Sequence, residues 1–484
     1  MKKSHEISQT LPFYLFAIGV YLIIVCKDIL SNGMFLDGLI YSTVSKNLAD
    51  GLGTFWNPHF TATLMPEFHE HPPLAFGIQS IFYTLFGESR YIDKFYSLFT
   101  VVIVGYVILR IWKTLGYKYG WLPLFIWLMT PTVFWASYNN LLENTLTIFT
   151  SLSILFYLKN QESKKFYFIF LSGFVLALGF LSKGFVAFYP WTFPFLLWLF
   201  LKQKSFGKMA LDTAGLFFFT IIPLLLIILL FPAARLSLHI YIDHQVIYSL
   251  KNAFTVNSRF DIVKRLFSEL TPAAVLCILI LAWAYIRKSP TIPIKENINK
   301  ILVFILLGLT GVLPIMISMK QSGFYILSVY PFFAIGAGIL VYPVIDSLFI
   351  NMNFESKWFL IFKWTGYGLF FVGIVLSLNF HNRYSRDKNK IKETYTILSE
   401  IPQGSIININ PEMFEDWSLH AYFARFKNVS LDPDLKNSRE YLLIKKEDNS
   451  DTLNSRYELI KINIPDYKLF KKKYYCYPGQ SHIQ

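Results

Sequence analysis

Charge is scarce in this chain: only 16% of its 484 residues are Asp, Glu, Lys or Arg. Set beside 54% hydrophobic residues, 18% aromatic residues and a mean hydropathy of +0.43, that scarcity excludes a soluble globule of this size. A polytopic membrane protein is expected. Cysteine is nearly lacking too: Cys26 and Cys277 lie inside apolar runs and Cys476 near the end, so no disulfide framework can staple the fold. The run from Leu11 to Cys26 follows Met1-Lys2-Lys3 and has no small-residue cleavage site, so it is expected to be a retained signal anchor with a cytoplasmic N-terminus. No internal repeat, heptad run or low-complexity tract is present. The net charge of +14 is spread over short loops and the tail, the pattern of positive-inside loops facing anionic headgroups, so nucleic acid is not an expected partner.

What is abundant is long apolar sequence. Runs able to cross about 30 Å of hydrocarbon fall near 11–30, 93–112, 121–138, 143–158, 166–182, 184–201, 209–231, 271–287, 300–318, 324–343 and 357–380. Another apolar stretch, Leu74 to Phe86, is short and opens after Pro72-Pro73. Reading it as re-entrant or juxtamembrane puts the basic loops at 113–118, 159–165, 202–208 and 287–300 on the side of the N-terminal lysines. Reading it as a span reverses them, so the interfacial reading is preferred. The same parity places on the outer face the 31–72 loop, the turns at 137–143, 182–184 and 319–323, the 232–270 loop, and the tail. Beyond residue 380 the sequence turns polar, with alternating runs at 405–409, 441–444 and 457–464 broken by Pro402-Gln403-Gly404 and Asp432-Pro433-Asp434. The expected architecture is an all-α polytopic membrane domain over 1–380, with eleven to thirteen transmembrane helices, and a small soluble extracytoplasmic α/β domain over 381–484.

The 31–72 loop concentrates four carboxylates and three histidines just outside the bilayer. Asp37 stands directly beyond the first span, where a base can meet a lipid headgroup. The apolar spacing of Leu39, Ile40, Val44 and Leu48 predicts an interfacial amphipathic helix, whose N-terminus Asp37 would otherwise simply cap. At the loop's exit, Glu67-Phe68-His69-Glu70-His71-Pro72-Pro73 presents acids and imidazoles in rigid, extended form. With His239 and His244 on the other outer loop, Glu70 is a candidate ligand for a divalent metal ion, Zn, Mg or Mn. Asp50 and Glu67 read as solvated surface. Glu143 begins a span at its outer end, where helix capping alone would also explain a carboxylate. Lys183, in Ser182-Lys183-Gly184, and Lys320, in Ser318-Met319-Lys320, are lone cations close to the membrane. With Arg259 and Arg265 they are candidates to hold a lipid-linked phosphate, although snorkelling would explain any single one.

In this order, Asp37, Glu70-His71-Pro72-Pro73-Leu74, Glu143, Ser182-Lys183-Gly184 and Ser318-Met319-Lys320 followed by Tyr325 and Pro331 resemble the GT-C superfamily of polyprenyl-phosphate-sugar glycosyltransferases. The likeness is to the branch of the lipid A aminoarabinose transferases and protein O-mannosyltransferases. The resemblance implies a GT-C fold and an inverting hexosyl- or pentosyltransferase in the bacterial inner membrane. Its donor would be an undecaprenyl- or dolichyl-phosphate sugar and its acceptor lipid A, a surface glycan or a protein. It further implies Asp37 and Glu143 as catalytic, and Lys183, Lys320, Arg259, Arg265, His71 and Tyr325 as donor-phosphate ligands. His71 stands where the family usually has lysine, and Glu143 where Asp is common. A lipid-linked-sugar transporter or flippase, the rival reading, would require ionisable or helix-breaking residues near span centres, and charges here gather at span ends. A non-catalytic envelope assembly protein would make the loop carboxylates dispensable.

Overall fold

The computed structural model describes residues 2–287, 294–448 and 456–473, with side chains from residue 9 and, after the first gap, from residue 297; Cys476 lies outside the described residues. Among these, seven helices are long and apolar enough to cross a membrane: Gln9–Ile29, Ile92–Thr114, Phe206–Leu230, Asp261–Ile286, Asn297–Ile317, Gly323–Ile350 and Lys357–Asn379. The first lies in α1 (Lys2–Ile29). Then come α2 (Leu36–Ala49), a two-stranded hairpin of β1 (Gly53–Thr54) and β2 (Asn57–Pro58), α3 (Leu74–Phe86) and α4 (Ile92–Thr114). The run expected at 121–138 is broken into α5 (Trp121–Leu128) and α6 (Pro131–Ala136). Pro131 lacks the N–H that would continue the helix and pushes Thr130 into extended backbone.

α7 (Leu142–Ser163), α8 (Tyr167–Lys183) and α9 (Phe193–Leu201), the last preceded by a 3₁₀ stretch over Phe185–Thr192, are followed by α10 (Phe206–Leu230). The 232–270 loop is itself helical, with α11 (Pro232–Ile240), a π-helical turn over Tyr241–Ile247 and α12 (Tyr248–Asn252) before α13 (Asp261–Ile286). α14 (Ile294–Val312), α15 (Tyr330–Ile350) and α16 (Lys357–Asn379) complete the membrane part. α1 packs against α16 through small residues, since a Cβ on Gly19 would lie 2.6 Å from the Phe370 nitrogen and one on Gly373 2.7 Å from Leu22 Cβ. α3, at 13 residues, is about 20 Å long and too short for a full span. Its Ile81, Leu85 and Phe86 face outward, as on a helix lying at the membrane surface.

The C-terminal part holds α17 (Lys388–Glu400), β3 (Ile406–Ile409), α18 (Trp417–Lys427), β4 (Ser430–Asp432), β5 (Tyr441–Lys445), β6 (Tyr457–Leu459) and β7 (Tyr467–Lys472). The sheet order is β4-β3-β5-β7-β6, with β3 parallel to β4 and β5, and β7 antiparallel to β5 and β6. Ile397, Leu398, Leu419 and Phe423 of the helices cover Ile407, Ile409, Leu431 and Leu443 of the sheet. This is the expected α/β domain.

One expectation is overturned. α2 is not an interfacial helix with a wet face, because Gly38 to Asn47 are all buried. Its apolar residues Leu39, Ile40 and Val44 join a core with Phe60, Phe68, Phe76 and the α/β domain's Ile391, Ala421 and Tyr422. The backbone after the last span also grips the start of the loop: the Asn32 N–H donates to the Arg383 carbonyl at 2.7 Å and the Ser385 N–H to the Asn32 carbonyl at 2.9 Å.

Candidate active site

α2 is seated by the turn that begins α7. The Phe35 N–H donates to Asn139 Oδ1 at 2.7 Å, and Asn140 Nδ2 donates to the Gly38 carbonyl at 3.1 Å. A Cβ at position 38 would lie 1.8 Å from the Asn139 carbonyl oxygen, so only glycine permits this approach. Phe35 is the helix N-cap, and Asp37 lies two positions inside, not at the capping position. Burial raises the Asp37 carboxyl above its ordinary range, and the charges of Lys183 and Lys320 partly offset that. Glu70 is raised in the same way, by burial, with Lys320 and Lys183 opposing and Asp37 adding to the rise.

Glu143, in the first turn of α7, is fully buried and meets Lys183 Nζ at 3.0 Å. The contact is electrostatic: both Glu143 oxygens lack an aligned hydrogen-bond partner among the described residues. Lys183 ends α8, and Gly184 follows at φ +84°, where a Cβ would lie 1.8 Å from the Tyr241 hydroxyl oxygen. The Lys183 ammonium sits 5.6 Å from the Tyr41 ring centre and 5.7 Å from that of Tyr325, a cation held between two aromatic rings. His71 Nε2 lies 3.0 Å from the Tyr41 hydroxyl and 3.5 Å from Lys183 Nζ. An ammonium can only donate, so Nε2 is the accepting nitrogen and Nδ1 carries the hydrogen, with no partner among the described residues. Burial, then the two lysines, holds the His71 pKa well below the ordinary imidazole value, so the ring is neutral. Lys320 Nζ reaches across to Gln245 Oε1 at 3.0 Å and Ser249 Oγ at 3.3 Å.

His71, Glu143, Lys183, Tyr241, Gln245, Ser249, Lys320 and Tyr325 line one cavity of about 420 Å³, with an apolar flank of Phe185, Val186, Phe188, Leu250, Pro314 and Ile315. Asp37, Glu70 and Tyr41 stand outside its lining, tied to it through the charges of Lys183 and Lys320 and the Tyr41–His71 contact. The cavity has two cations and a neutral imidazole at its polar end and a hydrocarbon-like flank, chemistry that suits an anionic headgroup on an apolar chain.

His71, Glu143, Lys183, Lys320 and Tyr325 thus converge on the cavity, and Asp37 and Glu70 lie beside it within the electrostatic reach of both lysines. The remaining candidates do not. Arg265 is taken by buried Glu269 at 2.7 Å. Neither it nor Arg259 lines the cavity. His239 is exposed and pairs with Asp243 at 3.3 Å on its own helical turn, and His244 is exposed. Glu70, His239 and His244 are not gathered, and no group of three or more His, Cys, Asp or Glu able to hold a metal ion occurs among the described residues. Asp50 is exposed, as expected of a loop acid, and pairs with buried Lys46 at 2.6 Å. Cys26 and Cys277 are free thiols. The sequence reading missed Tyr41, Tyr241, Gln245 and Ser249. Tyr41 stands four residues after Asp37, and Gln245 and Ser249 stand four apart, so helical spacing put each pair on one face.

Residues 70–228 match the family model of the dolichyl-phosphate-mannose-protein mannosyltransferases. The crystal structure of ArnT from Cupriavidus metallidurans bound to undecaprenyl phosphate superposes with a TM-score of 0.66 over 96% of this chain and 98% of that one, at 14% identity. The chain has the GT-C fold. The apo form of the same ArnT gives a TM-score of 0.65 at 14% identity, over 94% of this chain and 96% of that one. A search of curated proteins by sequence finds no match. In this GT-C chain the matched family segment runs from Glu70 through α10 and carries His71, Glu143 and Lys183, three of the converging residues, and Glu70 beside them.

Proposed function

We propose that this protein is an inverting glycosyltransferase that moves a sugar from a polyprenyl-phosphate donor, undecaprenyl or dolichyl, to an extracytoplasmic acceptor. The observation that carries this reading is the cavity itself, with Lys183, Lys320 and His71 at one end and apolar walls beyond. The phosphate of the carrier would sit against the two ammonium groups, which neutralise the charge that grows as it leaves. The prenyl chain would follow the apolar wall. An acceptor hydroxyl attacks the anomeric carbon from the face opposite the phosphate. The new C–O bond forms as the sugar–phosphate bond breaks, and the hydroxyl proton passes to Asp37. A single displacement of this kind inverts configuration. Glu143 fixes Lys183 rather than meeting the sugar, and Tyr41 and Tyr325 bracket the same ammonium. The acceptor class is lipid A, a surface glycan or a protein, and the transferred sugar is a hexose or a pentose.

The reading places the protein in a plasma membrane, bacterial, with the N-terminus cytoplasmic and both the cavity and the α/β domain outside. Mass spectrometry of membrane lipids and surface glycans with and without the gene tests it, because a missing sugar names donor and acceptor together. With the purified protein, transfer from a polyprenyl-phosphate sugar is expected to vanish in Asp37→Ala/Lys183→Ala. A parent protein inert toward every such donor refutes the function, and a double variant at the parent rate refutes the mechanism.

A further inference from the structure

Asp37 and Tyr41 face the cavity groups from one side of α2, while Ser42, Thr43 and Lys46 stand on another; five residues along a helix rotate by about 140°. That second side is held by α18. Arg425, 2% exposed, donates through Nε to Ser42 Oγ at 2.9 Å and pairs through Nη2 with Asp93 Oδ2 at 3.3 Å. It donates also to the Ser89 carbonyl at 2.8 Å and reaches Glu88 at 3.5 Å. Its guanidinium lies 5.1 Å from the Tyr83 ring centre, and the Tyr83 hydroxyl bonds both Asp93 and Ser42. Buried Lys46 adds Asn428 at 3.4 Å, and Thr43 Oγ1 donates to the Ala421 carbonyl at 3.5 Å. On α2's flank toward α3, Ser45 and Asn140 share Gln79 Oε1, and Asn140 holds the Gly38 carbonyl next to Asp37. Two sets of buried polar contacts therefore hold α2: one from the α/β domain to Ser42, Thr43 and Lys46, the other from Gln79 and Asn140 to Ser45 and to the Gly38 carbonyl beside Asp37.

We propose that Arg425 is a positioning residue: through Ser42 and Asp93, the α/β domain locks the rotation and height of α2 and so sets where Asp37 meets the acceptor. The proposal rests on the glycosyltransferase reading above. The donor end of the cavity stands mainly on α8, the Met319–Gly323 segment and Tyr325, none of which Arg425 touches; α2 reaches it only through Tyr41, so acceptor activation should suffer more than donor binding. A buried guanidinium costs several kcal/mol of desolvation unless its partners are in register, which suits it to fixing one arrangement rather than adding stability.

The test is steady-state kinetics of the full-length protein in lipid nanodiscs, with thermal unfolding measured alongside. Arg425→Met is expected to lower kcat roughly 10- to 100-fold, the cost of an ångström-scale misplacement, with little change in donor KM. The acid limb of the kcat profile should shift, as Asp37 leaves its buried position. Arg425→Lys keeps the charge without the planar fork and should recover only part of kcat. Arg425→Met/Asp93→Met removes both buried charges, so its thermal stability should recover while kcat stays low. Ser42→Ala, a milder change suited to the case in which Arg425→Met does not fold, should lower kcat and not donor affinity. An unchanged kcat in Arg425→Met, or in Ser42→Ala should Arg425→Met not fold, overturns the positioning role. So does a kcat that returns together with stability in the double variant. A parent inert toward all polyprenyl-phosphate donors instead overturns the function, and the positioning role with it.

Discussion

Lys183→Met tests the electrostatic core of the site most directly, because it keeps the length of the side chain and removes its charge. At 3.0 Å and an effective dielectric constant of about 20, the attraction between Lys183 and Glu143 is about 5.5 kcal/mol before desolvation is counted. Glu143 is fully buried and both its oxygens lack other hydrogen bonds among the described residues, so nothing takes over when the ammonium goes. Breaking one half of a buried pair costs roughly 3–5 kcal/mol, and that range lies within the Coulomb bound. Thermal unfolding in nanodiscs should show a loss of this order. Initial rates should fall further, by roughly 10²- to 10³-fold, the usual cost of deleting one group that stabilises charge developing in the transition state. Adding Glu143→Gln removes the stranded carboxylate, so stability should return while the rate stays low. A Lys183→Met protein that transfers sugar at the parent rate refutes the phosphate role. A double variant as unstable as the single one refutes the pairing argument.

Transfer to a hydroxyl acceptor should be lost as pH falls through the Asp37 pKa, which burial raises, because the base must be ionised; the acid limb of kcat should therefore lie above the ordinary Asp value of about 3.9. Gly184→Ala should cost roughly 1–2 kcal/mol in backbone strain alone. It should also raise donor KM as the Tyr241 ring is pushed off the cavity wall, with Tyr241→Ala in the same chain restoring part of the loss. His420, buried in α18 with Nε2 beside the Phe414 carbonyl at 3.1 Å, has its pKa pushed down to about 4, chiefly by burial. The unfolded chain takes up that proton near pH 6.5, so stability of the α/β domain is full above this pH and is lost as pH falls toward 4, by roughly 3 kcal/mol in total. His420→Phe, which keeps the edge-on packing against Phe414, should flatten that dependence in pH-resolved denaturation.

The apolar runs and the cavity's charged groups were legible because long apolar runs and lone charges at their ends obey strong local rules. Asp37, Glu143, Lys183 and Lys320 were found for that reason. What local pattern could not reveal was the partner of each face. Ser42, Thr43, Ser45 and Asn47 make α2 look half-polar, the signature of a helix at a wet surface, yet those groups are satisfied by residues tens to hundreds of positions away. Asp50 is solvated as its setting suggests; that it shares buried Lys46 with Glu88, distant in sequence, was not legible. Arg265 looked free to bind phosphate because Glu269, four residues on, was not weighed as its partner. The histidine pairs suggested a metal from density alone, but His239 and His244 sit on the exposed side of their helical turn. In the α/β domain β7 escaped notice because Leu469 and Phe470 are adjacent rather than alternating. Each packs into a different core on opposite sides of the sheet.

The contact of α1 with α16, together with the Asn32 bonds to Arg383 and Ser385, brings the two extremes of the membrane domain side by side. Synthesis delivers them in the opposite sense. α1 reaches the bilayer first, and its partner arrives only after all the intervening helices have been made. α18 follows later still. Until then α2 lacks the contacts of α18, and Asp37 is placed only by the Asn139–Asn140 turn and by α3. On the proposed mechanism, a chain clipped before α18 would carry every lysine of the donor end with a poorly placed base, expected to hold a lipid phosphate but not to turn it over.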